Sequence, residues 1–174
     1  EAGDVVAEAA DAGTDTVQSA ISYTLGDNFE NLTLTGSADI DGTGNAADNV
    51  LTGNDGVNVL TGGAGNDTYS VSDEFDSMTE DVNKGIDTVQ TTVNELILAA
   101  NFENLVLLGD DDLNGAGNEL GNVVTGNSGS NILLGLDGND TINAGTGELD
   151  ILDGGAGNDT QIGRAACRGR VEIS

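Results

Sequence analysis

Glycine returns every nine residues along much of this chain, and no other feature restricts its fold so strongly. Units open at Gly44, Gly53 and Gly62, again at Gly117, Gly126 and Gly135, and then at Gly145 and Gly154 after a one-residue delay at Ala144. The eighth position of these units reads Leu51, Leu60, Tyr69, Val124, Leu133, Ile142, Leu152 and Gln161, apolar in every unit but the last. Such a repeat reads as a turn of about six residues followed by a strand of about three. Glycine supplies the positive-φ backbone that the turn needs, and the β-branched and Leu positions supply an inward apolar ladder. Two units close one flattened coil, and coils stack at the parallel-strand spacing of about 4.8 Å, right-handed as parallel crossovers are. Unit n then lies over unit n+2, about 18 residues away. The expected fold is all-β: a right-handed parallel β-roll or β-helix solenoid built from nonapeptide repeats.

A longer repeat encloses the short one. Gly13-Thr14-Asp15-Thr16-Val17-Gln18 returns as Gly85-Ile86-Asp87-Thr88-Val89-Gln90, and Phe29-Glu30-Asn31-Leu32 returns as Phe102-Glu103-Asn104-Leu105. Residues 1–78 therefore read as a first copy, wider coils followed by nonapeptide turns, and 79–163 as a second. Strands are expected at Thr16-Val17-Gln18, Tyr23-Thr24-Leu25 and Leu32-Thr33-Leu34. The scarce aromatics Tyr23, Phe29, Tyr69 and Phe102 are expected to fill the interior of wider coils or plug an end. Asp73 to Lys84 reads as a loop between the copies, with a short helix as the alternative.

Charge points to what must accompany the fold. The chain carries 31 acidic and 4 basic side chains, a formal net charge of −27. Charge of one sign opposes compaction unless something neutralises it, so the implied partner is a cation. Lys84 is the only basic residue before Arg164, which leaves no basic patch for phosphates or an anionic membrane surface. Nucleic acid is excluded as a partner. No run approaches the roughly 18 apolar residues of a membrane span, so direct membrane insertion is not expected. Cys167 has no second cysteine to pair with.

Three turns spell one motif most fully: Gly62-Gly63-Ala64-Gly65-Asn66-Asp67, Gly135-Leu136-Asp137-Gly138-Asn139-Asp140 and Gly154-Gly155-Ala156-Gly157-Asn158-Asp159. Here the sequence resembles the RTX, or repeats-in-toxin, family of haemolysin-type calcium-binding repeats, whose nonapeptide is G-G-x-G-x-D-x-U-x with U large and apolar. The resemblance runs from about Gly36 to Ile162. It implies calcium held between stacked turns and a place in a larger secreted or cell-surface bacterial protein, exported by type I secretion. Chemistry agrees, because Ca²⁺ takes 6 to 8 oxygens and a tight turn exposes several carbonyls beside its Asp. Asp140 and Asp159 are the leading ligands, with Asp67, Asp137 and Asp150 behind them. Backbone would come from Gly135, Gly138, Gly154, Gly155 and Gly157, and from Gly62, Gly63 and Gly65. Asp67 faces Asp48 and Asn49 in the turn opening at Gly44, and Asp150 faces Asn131, so both sites are expected to be weaker or absent. The acidic runs Asp73-Glu74 and Asp110 to Asp112 read as solvated loops, Asp110 remaining a minor candidate.

Asn replaces Asp at the sixth position of four turns, as Asn49, Asn58, Asn122 and Asn131. Stacked amides there are expected to form a hydrogen-bonded ladder without an ion. Catalytic parts are missing from the pattern: there is no His, and Cys167 has no imidazole to activate it. The expected function is a non-enzymatic calcium-binding module that folds outside the cell and serves other domains of a longer chain. A carbohydrate-active β-helix (polysaccharide lyase or epimerase) and a passive adhesin spacer are the alternatives. Residues 164–174 hold three of the four basic side chains and read as a cloning scar or a tail outside the fold.

Overall fold

The computed structural model describes residues 6–9, 13–82 and 84–163. The expectation for residues 164–174 lies outside them. The chain divides into two compact units, residues 1–88 and 89–174, and both are stacks of parallel strands. No helix occurs among the described residues.

In the first unit one sheet runs β1 (Thr16–Ser19), β3 (Asn31–Leu34), β5 (Val50–Thr52) and β7 (Thr68–Val71). The facing sheet runs β2 (Tyr23–Thr24), β4 (Gly42–Thr43), β6 (Val59–Thr61) and β8 (Ser77–Thr79). Each of these strands pairs parallel with its neighbour, and alternate strands in sequence share a sheet, so each coil contributes one strand to each side. The register places Val17 beside Leu32, Leu32 beside Leu51 and Leu51 beside Tyr69. This inner ladder is the core: Leu32, Leu51, Leu60 and Tyr69 are all 0% exposed. Gly42 stands where the opposing ladder leaves no room, since a Cβ there would lie 3.0 Å from Leu32 Cδ2 and 3.1 Å from Leu60 Cδ2.

The second unit repeats the plan with β9 (Thr88–Thr91, which the division cuts after Thr88), β11 (Asn104–Leu107), β13 (Val123–Thr125), β15 (Thr141–Asn143) and β17 (Thr160–Ile162) on one side. On the other lie β10 (Leu96–Ile97), β12 (Gly115–Ala116), β14 (Ile132–Leu134) and β16 (Ile151–Asp153). Leu105 aligns with Val124, Val124 with Ile142 and Ile142 with Gln161. Gln161 is exposed at the end of that ladder.

Two expectations need adjustment. Asp73 to Lys84 is neither plain loop nor helix: it contains β8, which pairs with β6 through Leu60 and Met78. That strand is three residues long and no repeat glycine introduces it, so its sequence gives little sign of it. Of the aromatics, Phe29, Tyr69 and Phe102 are buried, and Tyr23 is half-buried on β2, an end strand of its sheet. The sixth-position amides do not stack on one another. Asn49 Nδ2 donates to the carbonyls of Phe29 and Glu30, Asn122 Nδ2 to those of Phe102 and Glu103, Asn58 Nδ2 to that of Ile40 and Asn131 Nδ2 to that of Leu113. The ladder runs from side chain to backbone, because the sixth position one coil on is an aspartate and not a second amide: Asp67 follows Asn49, Asp140 follows Asn122 and Asp150 follows Asn131.

Candidate calcium-binding turns

Each turn is closed from within by its sixth residue. The side chain folds back beneath the first glycine, where any Cβ would collide: Gly44 against Asn49 Oδ1, Gly135 against Asp140 Oδ2, Gly154 against Asp159 Oδ2. Position one must be glycine for the turn to close in this way.

Asn and Asp then diverge. With Asn, Oδ1 accepts the N–H of the second residue, at 2.7 Å in Asn45–Asn49 and Asn118–Asn122, 2.8 Å in Asn54–Asn58 and 3.0 Å in Asn127–Asn131. Both polar atoms of the amide are satisfied, and no charge is present. With Asp, Oδ1 instead accepts the N–H of the sixth residue one coil earlier: Asn49 to Asp67 at 2.7 Å, Asn122 to Asp140 at 2.7 Å, Asn131 to Asp150 at 2.9 Å and Asp140 to Asp159 at 3.0 Å. At three of these four the second oxygen has nothing to hold it. Oδ2 of Asp67, Asp140 and Asp150 is buried without a hydrogen-bond partner, on residues 1%, 1% and 3% exposed. A buried ionised carboxylate with an unmatched oxygen is expensive unless it is paired or coordinates a metal. These are the places where a cation would be gained.

The register brings the expected pairs together. β15 and β17 align Thr141 with Thr160, so Asp140 and Asp159 are stacked neighbours. Asp150 stacks on Asn131 instead, in the turn that leads to the opposite sheet. The Asp137 backbone bridges to Ala156, with its side chain exposed. The turns press close: Gly138 N–H donates to Ala156 O at 2.9 Å and Ala156 N–H to Leu136 O at 2.7 Å. A Cβ on Gly157 (φ +143°) would collide with the Gly138 carbonyl. Gly63 and Gly155 hold the second position at φ +111° and +85°, whereas Leu136 occupies it at φ 80° as a non-glycine. Asp110 to Asp112 are exposed, although Asp112 Oδ1 accepts the Ser130 N–H at 2.8 Å.

Electrostatics follow burial. Desolvation raises the carboxyl of Asp140, aided by the charges of Asp159 and Asp137. It lifts that of Asp67 to about 7, with Glu80, Asp87 and Asp48 adding repulsion. Glu80 and Asp87 are themselves raised, chiefly by burial, and were not among the residues expected at a site. Asp87 could have been found, since Gly85-Ile86-Asp87 sits 20 residues beyond the Gly65-Asn66-Asp67 it follows, and Asp67 N–H donates to Asp87 Oδ1 at 2.7 Å. Glu80 gave no signal, because it lies in the stretch read as loop.

Residues 43–77, 116–148 and 125–161 match the family model of the RTX calcium-binding nonapeptide repeat in four copies. These segments are RTX calcium-binding repeats. No curated protein and no solved structure matches the chain. The RTX matches cover the turns that carry Asp67, Asp140, Asp150 and Asp159, and the donor set fits calcium: hard oxygens only, carboxylates beside turn carbonyls, and a buried oxygen left over. When bound, calcium supplies the positive charge that these carboxylates lack.

Proposed function

We propose that the chain is a calcium-folded structural module of a longer secreted protein, its task being to switch from an expanded, self-repelling chain to a stack of turns where calcium is abundant. The observation that carries this reading is the contrast at position six: Asn turns are satisfied without an ion, and the turns of Asp67, Asp140 and Asp150 leave a buried carboxylate oxygen unmatched. In this reading Asp140 and Asp159 share one ion with carbonyls of the Gly135 to Gly138 and Gly154 to Gly157 turns. Asp67 takes another with the Gly62 to Gly65 turn, and Asp150 binds more weakly over Asn131. Asp137 lies at the rim. Binding free energy then becomes folding free energy. No step of catalysis is assigned to the module, and the activity of the parent protein lies in other regions.

Circular dichroism of the full chain in EDTA and then in millimolar calcium tests this, with calorimetric titration counting the ions. Calcium should restore strand signal, with affinity of roughly 10⁻⁴ to 10⁻³ M, as in extracellular calcium modules. Magnesium should substitute poorly, since it requires tighter octahedral geometry. A spectrum identical in EDTA and calcium, with no heat of binding, refutes the proposal.

A further inference from the structure

Two positions in the first unit break the rule that glycine opens the turn: Val71, which the register of β5 with β7 sets over Gly53, and the residue that opens the turn after β8. β6 and β8 align Thr61 with Thr79, which sets the next residue, Glu80, directly over Gly62. In the second unit the corresponding alignment is Leu134 with Asp153, and the next residue there is Gly154. Where the repeat keeps glycine, the first unit carries a glutamate.

That glutamate turns inward. Glu80 is 8% exposed, and Asp67 and Asp87 are each 1% exposed. One carboxylate oxygen from each of the three lies within 4.8 Å of the others. Two oxygens on opposite sides of a calcium ion stand about 4.6 to 5.2 Å apart, twice the metal–oxygen distance, so this spacing admits one. Asp67 Oδ2 is buried with no hydrogen-bond partner. It converges with Glu80 Oε1 and Tyr69 Oη on the face of Gly62 that lacks a Cβ, a space any side chain there would fill. The Tyr69 hydroxyl accepts the Gly62 N–H at 2.5 Å and donates to Glu80 Oε1, which fixes the glutamate's direction. Three buried carboxylates cannot all remain ionised this close together without a cation or protons among them.

We infer that Asp67, Glu80 and Asp87 form an interior divalent-cation site inside the first unit, with Glu80 supplying the ligand that the repeat turn does not have and Tyr69 orienting it. The occupant is calcium. This is the ion given above to Asp67 and the Gly62 turn, completed from the coil interior by Glu80, and the second unit lacks that carboxylate because Gly154 stands in place of Glu80. This inference rests on the reading that the chain binds calcium, and its test separates the two.

The full chain is titrated with Ca²⁺ by calorimetry and with Tb³⁺ by tyrosine-sensitised luminescence, for which two Tyr and no Trp are available. Wild type should show emission that calcium displaces. Glu80→Gln and Glu80→Gly should each bind one ion fewer per chain and lose that emission. Glu80→Gly restores the residue that stands at the aligned position of the second unit, Gly154, so it should fold even if Glu80→Gln does not. Tyr69→Phe should keep the ion count and lose the emission. An unchanged calcium count in Glu80→Gly overturns the interior site, as does wild-type terbium binding without emission or emission undiminished by Tyr69→Phe. If Asp140→Ala loses an ion while Glu80→Gly loses none, only the interior site fails. Absence of any calcium binding by wild type refutes both readings.

Discussion

Asp140→Asn isolates the energetic conflict at a repeat turn. The substitution keeps the shape of the side chain and replaces a buried, unmatched carboxylate oxygen with an amide of the kind that Asn49, Asn58, Asn122 and Asn131 use to close equivalent turns. Leaving a buried acceptor unsatisfied costs about 1–3 kcal/mol, more if charged. Without calcium the variant should therefore be more stable than wild type by about 1–3 kcal/mol, equivalent to about 2–12 °C in melting temperature for a chain of this length. With calcium the order should reverse. An ion present at 100 times its dissociation constant stabilises by about 2.7 kcal/mol, and the variant forgoes that gain. Melting followed by circular dichroism, in EDTA and in calcium, reads both limbs; an excluded osmolyte in both buffers keeps the chelated forms folded enough to compare. Crossing of the two stabilities is the expected outcome. If Asp140→Asn is destabilised in EDTA, or if calcium stabilises it as much as wild type, the carboxylate is a turn cap and the ion lies elsewhere.

The chelated chain should be more stable near pH 4 than near pH 8. Asp67, with its carboxyl raised to about 7, holds its proton better folded than unfolded, so its contribution is fully present below about 4 and is lost as pH rises through 7. The loss is at most about 4 kcal/mol, and a pH series of EDTA melts in which stability rises from pH 4 to pH 8 would contradict it. Asp140→Ala and Asp159→Ala should each remove the same ion, with the double variant losing little more, because contacts to a shared site are non-additive; calorimetric stoichiometry that falls additively would refute the shared site. Leu136→Gly should raise the melting midpoint slightly, because positive-φ strain of about 1 kcal/mol is relieved at a position where Gly63 and Gly155 already stand; an unfolding midpoint lowered in urea would show that Leu136 contributes packing instead.

What the sequence disclosed, and what it withheld, divides along one physical line. The period of nine placed every strand from β5 to β7 and from β13 to β17, because the same residue types must recur wherever one turn is stacked on another. The register followed from arithmetic alone: 18 residues from Val50 to Thr68, 19 from Thr141 to Thr160 where Ala144 intervenes. Asp140 and Asp159 were paired by the same count. Periodicity is silent where a position departs from the repeat, and the departures are what distinguish this chain from any other stack of turns. β8 escaped notice because no glycine precedes it, and Glu80 with it, because a lone glutamate in an acidic chain carries no pattern. The rotation of Asn49 onto backbone carbonyls was hidden for another reason. Asn and Asp are nearly the same shape, and only the three-dimensional count of donors and acceptors shows that one leaves nothing unmatched and the other leaves an oxygen. Spacing identifies which residues meet; hydrogen-bond accounting decides which of those meetings has room for an ion.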